Sequence, residues 1–149
     1  MKKLLCVIAA AAVLAGCGNT AEAPDSSGTQ SAPAELLVWC EEADTADFER
    51  RAEAFKEQNP DREYQITVQA ESLDTVCETV LADPSSAADL FAYPEDQASL
   101  LMEAGAIPHR EDGIYGVPLR DGVLIGMNAA CACPEDAEKL AEFLAGRNE

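Results

Sequence analysis

An α/β fold is what this sequence predicts: a mostly parallel twisted sheet that carries one antiparallel hairpin and is flanked by helices. Three observations predict it. Beyond residue 35, apolar runs of strand length alternate with amphipathic stretches of helical period. Two strand-like runs late in the chain are separated by Arg120-Asp121-Gly122, in which Asp-Gly is a tight-turn signal. The chain has 149 residues, room for one domain plus processing and linker segments.

The elements follow in order. Leu36 to Cys40 (LLVWC) is a continuous apolar run, the pattern of a central strand buried on both faces. Asp44 or Thr45 then caps a helix whose Phe48, Ala52 and Phe55 share a face, and Asn59-Pro60 ends it. Tyr64, Ile66, Val68 and Ala70 alternate with polar residues and predict a second strand. Ser72 caps a helix presenting Leu73, Val76, Cys77, Val80 and Leu81, stopped by Asp83-Pro84. Leu90 to Tyr93 is a third short strand, and Asp96 opens a helix through Leu100, Leu101 and Ala104 to Gly105. Ile114 to Leu119 and Val123 to Met127 form the hairpin. A last helix starts at Pro134, places Glu135 and Asp136 in its first turn, packs Leu140, Ala141 and Leu144, and ends at Gly146.

The N-terminus has a different character. Lys2 and Lys3 precede an apolar stretch from Leu4 to Val13, followed by Leu14-Ala15-Gly16-Cys17. That is an export signal, its apolar run shorter than the roughly 20 residues a permanent membrane span needs. Leu-Ala-Gly-Cys resembles the bacterial lipoprotein box, which implies that residues 1–16 are removed and that Cys17 is lipidated, anchoring the protein at the outer side of the cell membrane. Residues 17–35 are rich in Ser, Thr, Gly, Pro and Ala and read as a flexible tether, leaving 36–149 as the folded part.

Charge and cysteines exclude several functions. With 10 Lys plus Arg against 28 Asp plus Glu, the net charge of -18 repels phosphates, so nucleic acid is not an expected partner. Export permits disulfides among Cys40, Cys77, Cys131 and Cys133, but spacing leaves all three full pairings open; Cys77 falls on an apolar helix face and reads as a buried hydrophobe. Cys131 and Cys133 lack the spacing of a zinc site and His109 is the single histidine, so no metal is expected, and no cofactor motif is present. A nucleophile elbow and a phosphate loop are also missing from the sequence. Paired carboxylates are too common on so acidic a chain to indicate glycoside hydrolysis, so the protein is not expected to be an enzyme.

The segments FKEQNPDREYQITVQAE, AADLFAYPEDQASLLMEAGAI and GVLIGMNAACACPEDAEKLAEFLAG stand in this order after LLVWC. Their order resembles the bacterial extracellular solute-binding proteins of the maltose/maltodextrin-binding type. The resemblance implies a periplasmic-binding-protein-like (type II) lobe and a solute-binding role, with a carbohydrate as solute and the permease subunits of an ABC importer as partners. In that family two lobes are joined by hinge strands, whereas here Arg120-Asp121-Gly122 stands where a second lobe is expected. The expectation is therefore a single lobe, truncated or reduced, without clamshell closure.

Ligands of open α/β sheets bind at the carboxyl ends of the strands. The loops after the first and third strands carry Glu41, Glu42 and Asp44, and Tyr93, Glu95 and Asp96. By position, Glu41 and Asp44 resemble the family's first-loop polar contacts, Tyr93 an aromatic contact, and Glu95 with Asp96 the polar pair beyond it. Each acid equally fits a solvated loop. The same rim of carboxylates suits a polyamine as an alternative solute. Trp39 reads as core, and Arg120 and Asp121 as turn residues. A second function from another class is a non-transporting envelope module that keeps the lobe as a docking surface, and retained affinity for a sugar separates the two.

Overall fold

The computed structural model describes residues 32–109, 113 and 116–146; the export signal, Cys17, most of the tether, and Ile114 and Tyr115 of the expected hairpin lie outside them. The described residues form one unit. Its elements run β1 (Ala34–Cys40), α1 (Glu42–Gln58), β2 (Tyr64–Ala70), α2 (Val76–Ala82), β3 (Leu90–Pro94), a 3-10 turn (Glu95–Gln97), α3 (Ala98–Glu103), β4 (Val117–Arg120), β5 (Val123–Met127) and α4 (Pro134–Leu144).

Five strands form one sheet in the order β2-β1-β3-β5-β4. β1 pairs in parallel with both β2 and β3, while β5 runs antiparallel between β3 and β4. All strands except β5 therefore point the same way, which is the predicted α/β architecture with its antiparallel hairpin. The turn between β4 and β5 is Asp121-Gly122, with Gly122 at φ 72°, a conformation that glycine adopts without a Cβ penalty.

Strand alternation divides the core in two. Leu36, Val38, Cys40, Leu90, Ala92, Val123 and Ile125 face α1 and α4, where they meet Phe48, Phe55, Leu140 and Leu144. Phe91, Tyr93 and Leu124 face the opposite way, onto Val76, Cys77 and Val80 of α2 and Ala98 and Leu101 of α3. Consecutive residues Leu90 to Tyr93 are thus buried on both sides, the signature of a central strand. Cys77 is a core residue, as its helical spacing predicts.

Gly126 lies opposite Phe91 in the β3–β5 ladder. A Cβ built there would come within 2.6 Å of Tyr93 Cε1, so the glycine makes room for the buried ring. Gly126→Ala is expected to destabilise the fold by about 1–3 kcal/mol through overpacking, seen as a lower urea midpoint at unchanged slope.

Several elements depart from the sequence reading. β1 begins at Ala34 rather than Leu36, because the Ala34 N–H donates to the Glu63 carbonyl at 2.9 Å; the last two residues of the expected tether are strand. Leu37 and Trp39 of β1 are half-buried, since β2 beside them carries the exposed Gln65, Thr67 and Gln69. That open part of the sheet face forms a groove of about 450 Å3, bordered also by Glu35 and Asp89. The first helix starts at Glu42 with Glu41 as its N-cap residue, and neither Asp44 nor Thr45 caps it. Ser72 does not cap α2 either: its Oγ accepts from the Asp74 N–H at 3.2 Å, and the helix starts four residues later at Val76. The helix expected from Asp96 is a 3-10 turn followed by a short α3, which leaves Leu100 48% exposed and Ala104 on the surface, so of that trio Leu101 alone is core.

Two buried polar residues tie the elements together. The Asn128 side chain donates to the carbonyls of Pro84 and Ala88, and its oxygen accepts from the Ala130 N–H, fixing the end of β5 to the loop before β3. Asp136 in the first turn of α4 accepts from the Tyr64 hydroxyl at 3.0 Å and pairs with Arg62 at 3.0 Å. Both satisfy the rule that a buried polar group finds partners.

Candidate functional site

The carboxyl ends of β1, β2 and β3 lie on one side of the sheet, because the three strands are mutually parallel through β1. The loop after β1 carries Glu41, Glu42 and Asp44, and α1 begins within it. Carboxylates in the first turn of a helix are favoured by the partial positive charge of its unpaired N–H groups. Thr45 donates to the Glu41 carbonyl at 3.2 Å, and the Asp44 N–H does so at 2.9 Å, which closes this turn tightly.

Between the β1–α1 loop and the segment after β2 lies a cleft of about 380 Å3 lined by Glu41, Glu42, Ala70, Glu71, Ser72 and Thr75. Glu71 accepts from the Thr75 hydroxyl at 3.0 Å, so one wall is already hydrogen-bonded. The lining is polar and acidic, suited to groups that donate hydrogen bonds: hydroxyls, amines or water.

The residue that organises the rim comes from the hairpin. Arg120, at the end of β4, reaches the β1–α1 loop, where one guanidinium nitrogen donates to Glu41 Oε2 and the other to Asp44 Oδ2. The same turn touches the loop after β3, for the Gly122 carbonyl accepts from the Glu95 N–H at 2.9 Å. Asp121-Gly122 and its neighbours therefore bridge the two loops singled out from the sequence.

Of the predicted residues, Glu41 and Asp44 are held together by Arg120, and Glu95 and Asp96 are exposed in the 3-10 turn. Tyr93 is not at the rim. β3 continues to Pro94, one residue beyond the predicted strand, so Tyr93 is interior and fully buried, tilted against Phe91 with ring centroids 5.6 Å apart. Burial pushes its hydroxyl well above the usual phenol range, as expected of a core tyrosine. It has no face to offer a sugar ring. Trp39 is half-buried, packed against the second core cluster, and its Nε1 donates to Gln69 at 3.4 Å. His109 is exposed beside Met102.

Sequence reasoning missed Glu71, Ser72 and Thr75, whose approach to Glu41 follows from β2 lying beside β1, and it read Arg120 as a plain turn residue. The available signal for Arg120 was a basic residue in a hairpin turn on a chain of strong negative charge. Among the described residues, no group of three or more His, Cys, Asp or Glu side chains is placed to hold a metal ion. Cys40, Cys77, Cys131 and Cys133 are free thiols. No helix among the described residues is long and apolar enough to cross a membrane.

Comparison with known proteins gives a partial likeness. No family model matches the chain. No curated protein matches it either. Among solved structures, the chain is similar to the maltodextrin binding protein MalE1 from L. casei BL23 without ligand, at 24% identity and a TM-score of 0.46, over 55% of this chain and 22% of that one. It is also similar to a cyclo/maltodextrin-binding protein complexed with maltotetraose, at 16% identity and a TM-score of 0.47, over 61% and 29% of the two chains. A third structure, with acarbose, is 21% identical at a TM-score of 0.47, over 62% and 29%. The match spans less than a third of the length of each solved chain.

Proposed function

We propose that this chain is an extracytoplasmic carbohydrate-binding protein, a single-lobe relative of the solute-binding components of ABC importers, anchored to the membrane through a lipid on Cys17. The observation that carries the reading is the polar cleft at the carboxyl ends of β1 and β2, bounded by Glu41, Glu42, Glu71, Ser72 and Thr75. Carboxylates and hydroxyls in such a cleft accept and donate the hydrogen bonds that sugar hydroxyls need, and strand ends are where open α/β sheets place their ligands. The ordered sequence segments that resemble the maltodextrin-binding type, and the antiparallel hairpin set into the sheet, support the same reading. Glu95 and Asp96 extend the rim on the β3 side, and Tyr93 contributes packing beneath it. The role is binding, not catalysis, and the permease subunits of an importer are the partners this reading implies.

The cleft is open on one side, so it buries little ligand surface and weak affinity is expected. Thermal unfolding of the purified protein with maltotetraose and with other sugars tests the proposal. A sugar at about 100 times its Kd adds about 2.7 kcal/mol and raises Tm by several degrees. A Tm unmoved by any sugar at millimolar concentration overturns carbohydrate binding and leaves the docking-module reading. Release of the protein from membranes by Cys17→Ala checks the anchor separately.

A further inference from the structure

We propose that Arg120 is the specificity-determining residue of this rim: seated between Glu41 and Asp44, it turns away cationic solutes and leaves the rim to neutral polyhydroxyl ligands. The inference rests on the carbohydrate reading for the ligand it admits, and on geometry alone for the ligand it excludes. The guanidinium holds two carboxylates from a loop 76 and 79 positions away in the chain, so it occupies the place a ligand cation would take.

Three features make the block effective. Arg120 is anchored, because it pairs with Val123 across the turn and Gly122 in that turn is bonded to Glu95. A tethered cation competes at an effective concentration on the order of millimolar or above, which a free amine must exceed. The planar fork of a guanidinium also matches two carboxylates better than an ammonium does. Arg120 engages Oε2 of Glu41 and Oδ2 of Asp44, so the second oxygen of each carboxylate remains to accept a hydroxyl. With Arg120 in place the pair keeps acceptor atoms for a hydroxyl while part of its negative charge is already matched, which weakens its pull on a free cation. Without Arg120 the cleft presents Glu41, Glu42 and Glu71, with Asp44 beside them in the first turn of α1, on a chain of net charge -18, a surface that attracts polyamines.

Isothermal titration of the purified protein with spermidine, and separately with maltotetraose, tests this at low salt. Arg120→Gln is expected to bind spermidine at least about tenfold more tightly than wild type, the change that corresponds to removing a competitor worth about 1.4 kcal/mol. Adding Glu41→Gln and Asp44→Asn to that variant is expected to abolish the gain, and Arg120→Lys to recover part of the exclusion. Arg120→Met, which keeps the apolar stem, gives the same reading should the glutamine variant not fold. Equal spermidine affinity in wild type and both neutral variants overturns the inference, and so does a gain that survives loss of the two carboxylates. A wild-type protein that binds no maltotetraose overturns the carbohydrate reading, and the spermidine comparison then decides the exclusion by itself.

Discussion

Tyr93→Ala is expected to lower the unfolding free energy by about 3–5 kcal/mol, the cost of deleting a buried aromatic ring and leaving a cavity. For a unit of this size the loss corresponds to a fall in Tm on the order of 15 °C. The ring is fully buried, packs against Phe91, and fills the space that Gly126 leaves open, so little can collapse into the void. Tyr93→Phe keeps the ring and removes only the hydroxyl, at an expected cost of about 1 kcal/mol. Chemical denaturation of both variants checks the pair. The same two proteins also separate core from ligand contact: Tyr93→Phe is expected to bind maltotetraose with the wild-type Kd, whereas an aromatic sugar contact with a bonded hydroxyl would weaken it.

The displacement of Tyr93 from rim to core shows what a sequence makes legible and what it does not. The run Leu90 to Tyr93 was readable as a strand, and its four consecutive buried positions follow from its place between β1 and β5. Where the strand stops decides whether its last aromatic faces a ligand or a helix, and one further residue of pairing, Pro94 with Val123, moves Tyr93 inside. The hairpin was readable because Asp-Gly demands a tight turn whatever surrounds it. The clamp that Arg120 makes was not, because it depends on β5 running back beside β3 and so bringing the turn to the carboxyl ends of β1 and β3. In the same way Glu71, Ser72 and Thr75 join Glu41 only through the β1–β2 pairing. Local residues announced the strands and helices; the site is assembled from neighbours in the sheet, and strand order is not written in any one segment. The exposed Leu100 is a local case: a 3-10 turn at Glu95–Gln97 rotates the following helix, and a helical period counted from Asp96 assigns it the wrong face.

Alkaline pH is expected to unfold this protein earlier than its acidic surface alone would cause, because its core holds titratable groups that must stay protonated. Burial raises the pKa of the Cys40 and Cys77 thiols and pushes that of Cys131 up to about 11. It also raises the hydroxyls of Tyr64, where the hydrogen bond to Asp136 adds to the effect, and of Tyr93. In the unfolded chain thiols titrate near about 8.5 and phenols near about 10. Above those values the unfolded state releases protons that the native state retains, so stability falls as pH rises. The contribution is complete below about pH 8.5. It is lost for Cys131 as pH passes toward 11, and for Tyr64 and Tyr93 only above the usual phenol range. Urea midpoints measured from pH 7 upward, in reducing buffer, are expected to hold steady and then decline. Cys131→Ser is expected to flatten the first part of that decline and leave the phenol part intact, since Cys131 is half-buried beside Asn128 and outside the main strands. A midpoint that stays level through the thiol range in wild type would mean that these thiols ionise as readily in the fold as out of it.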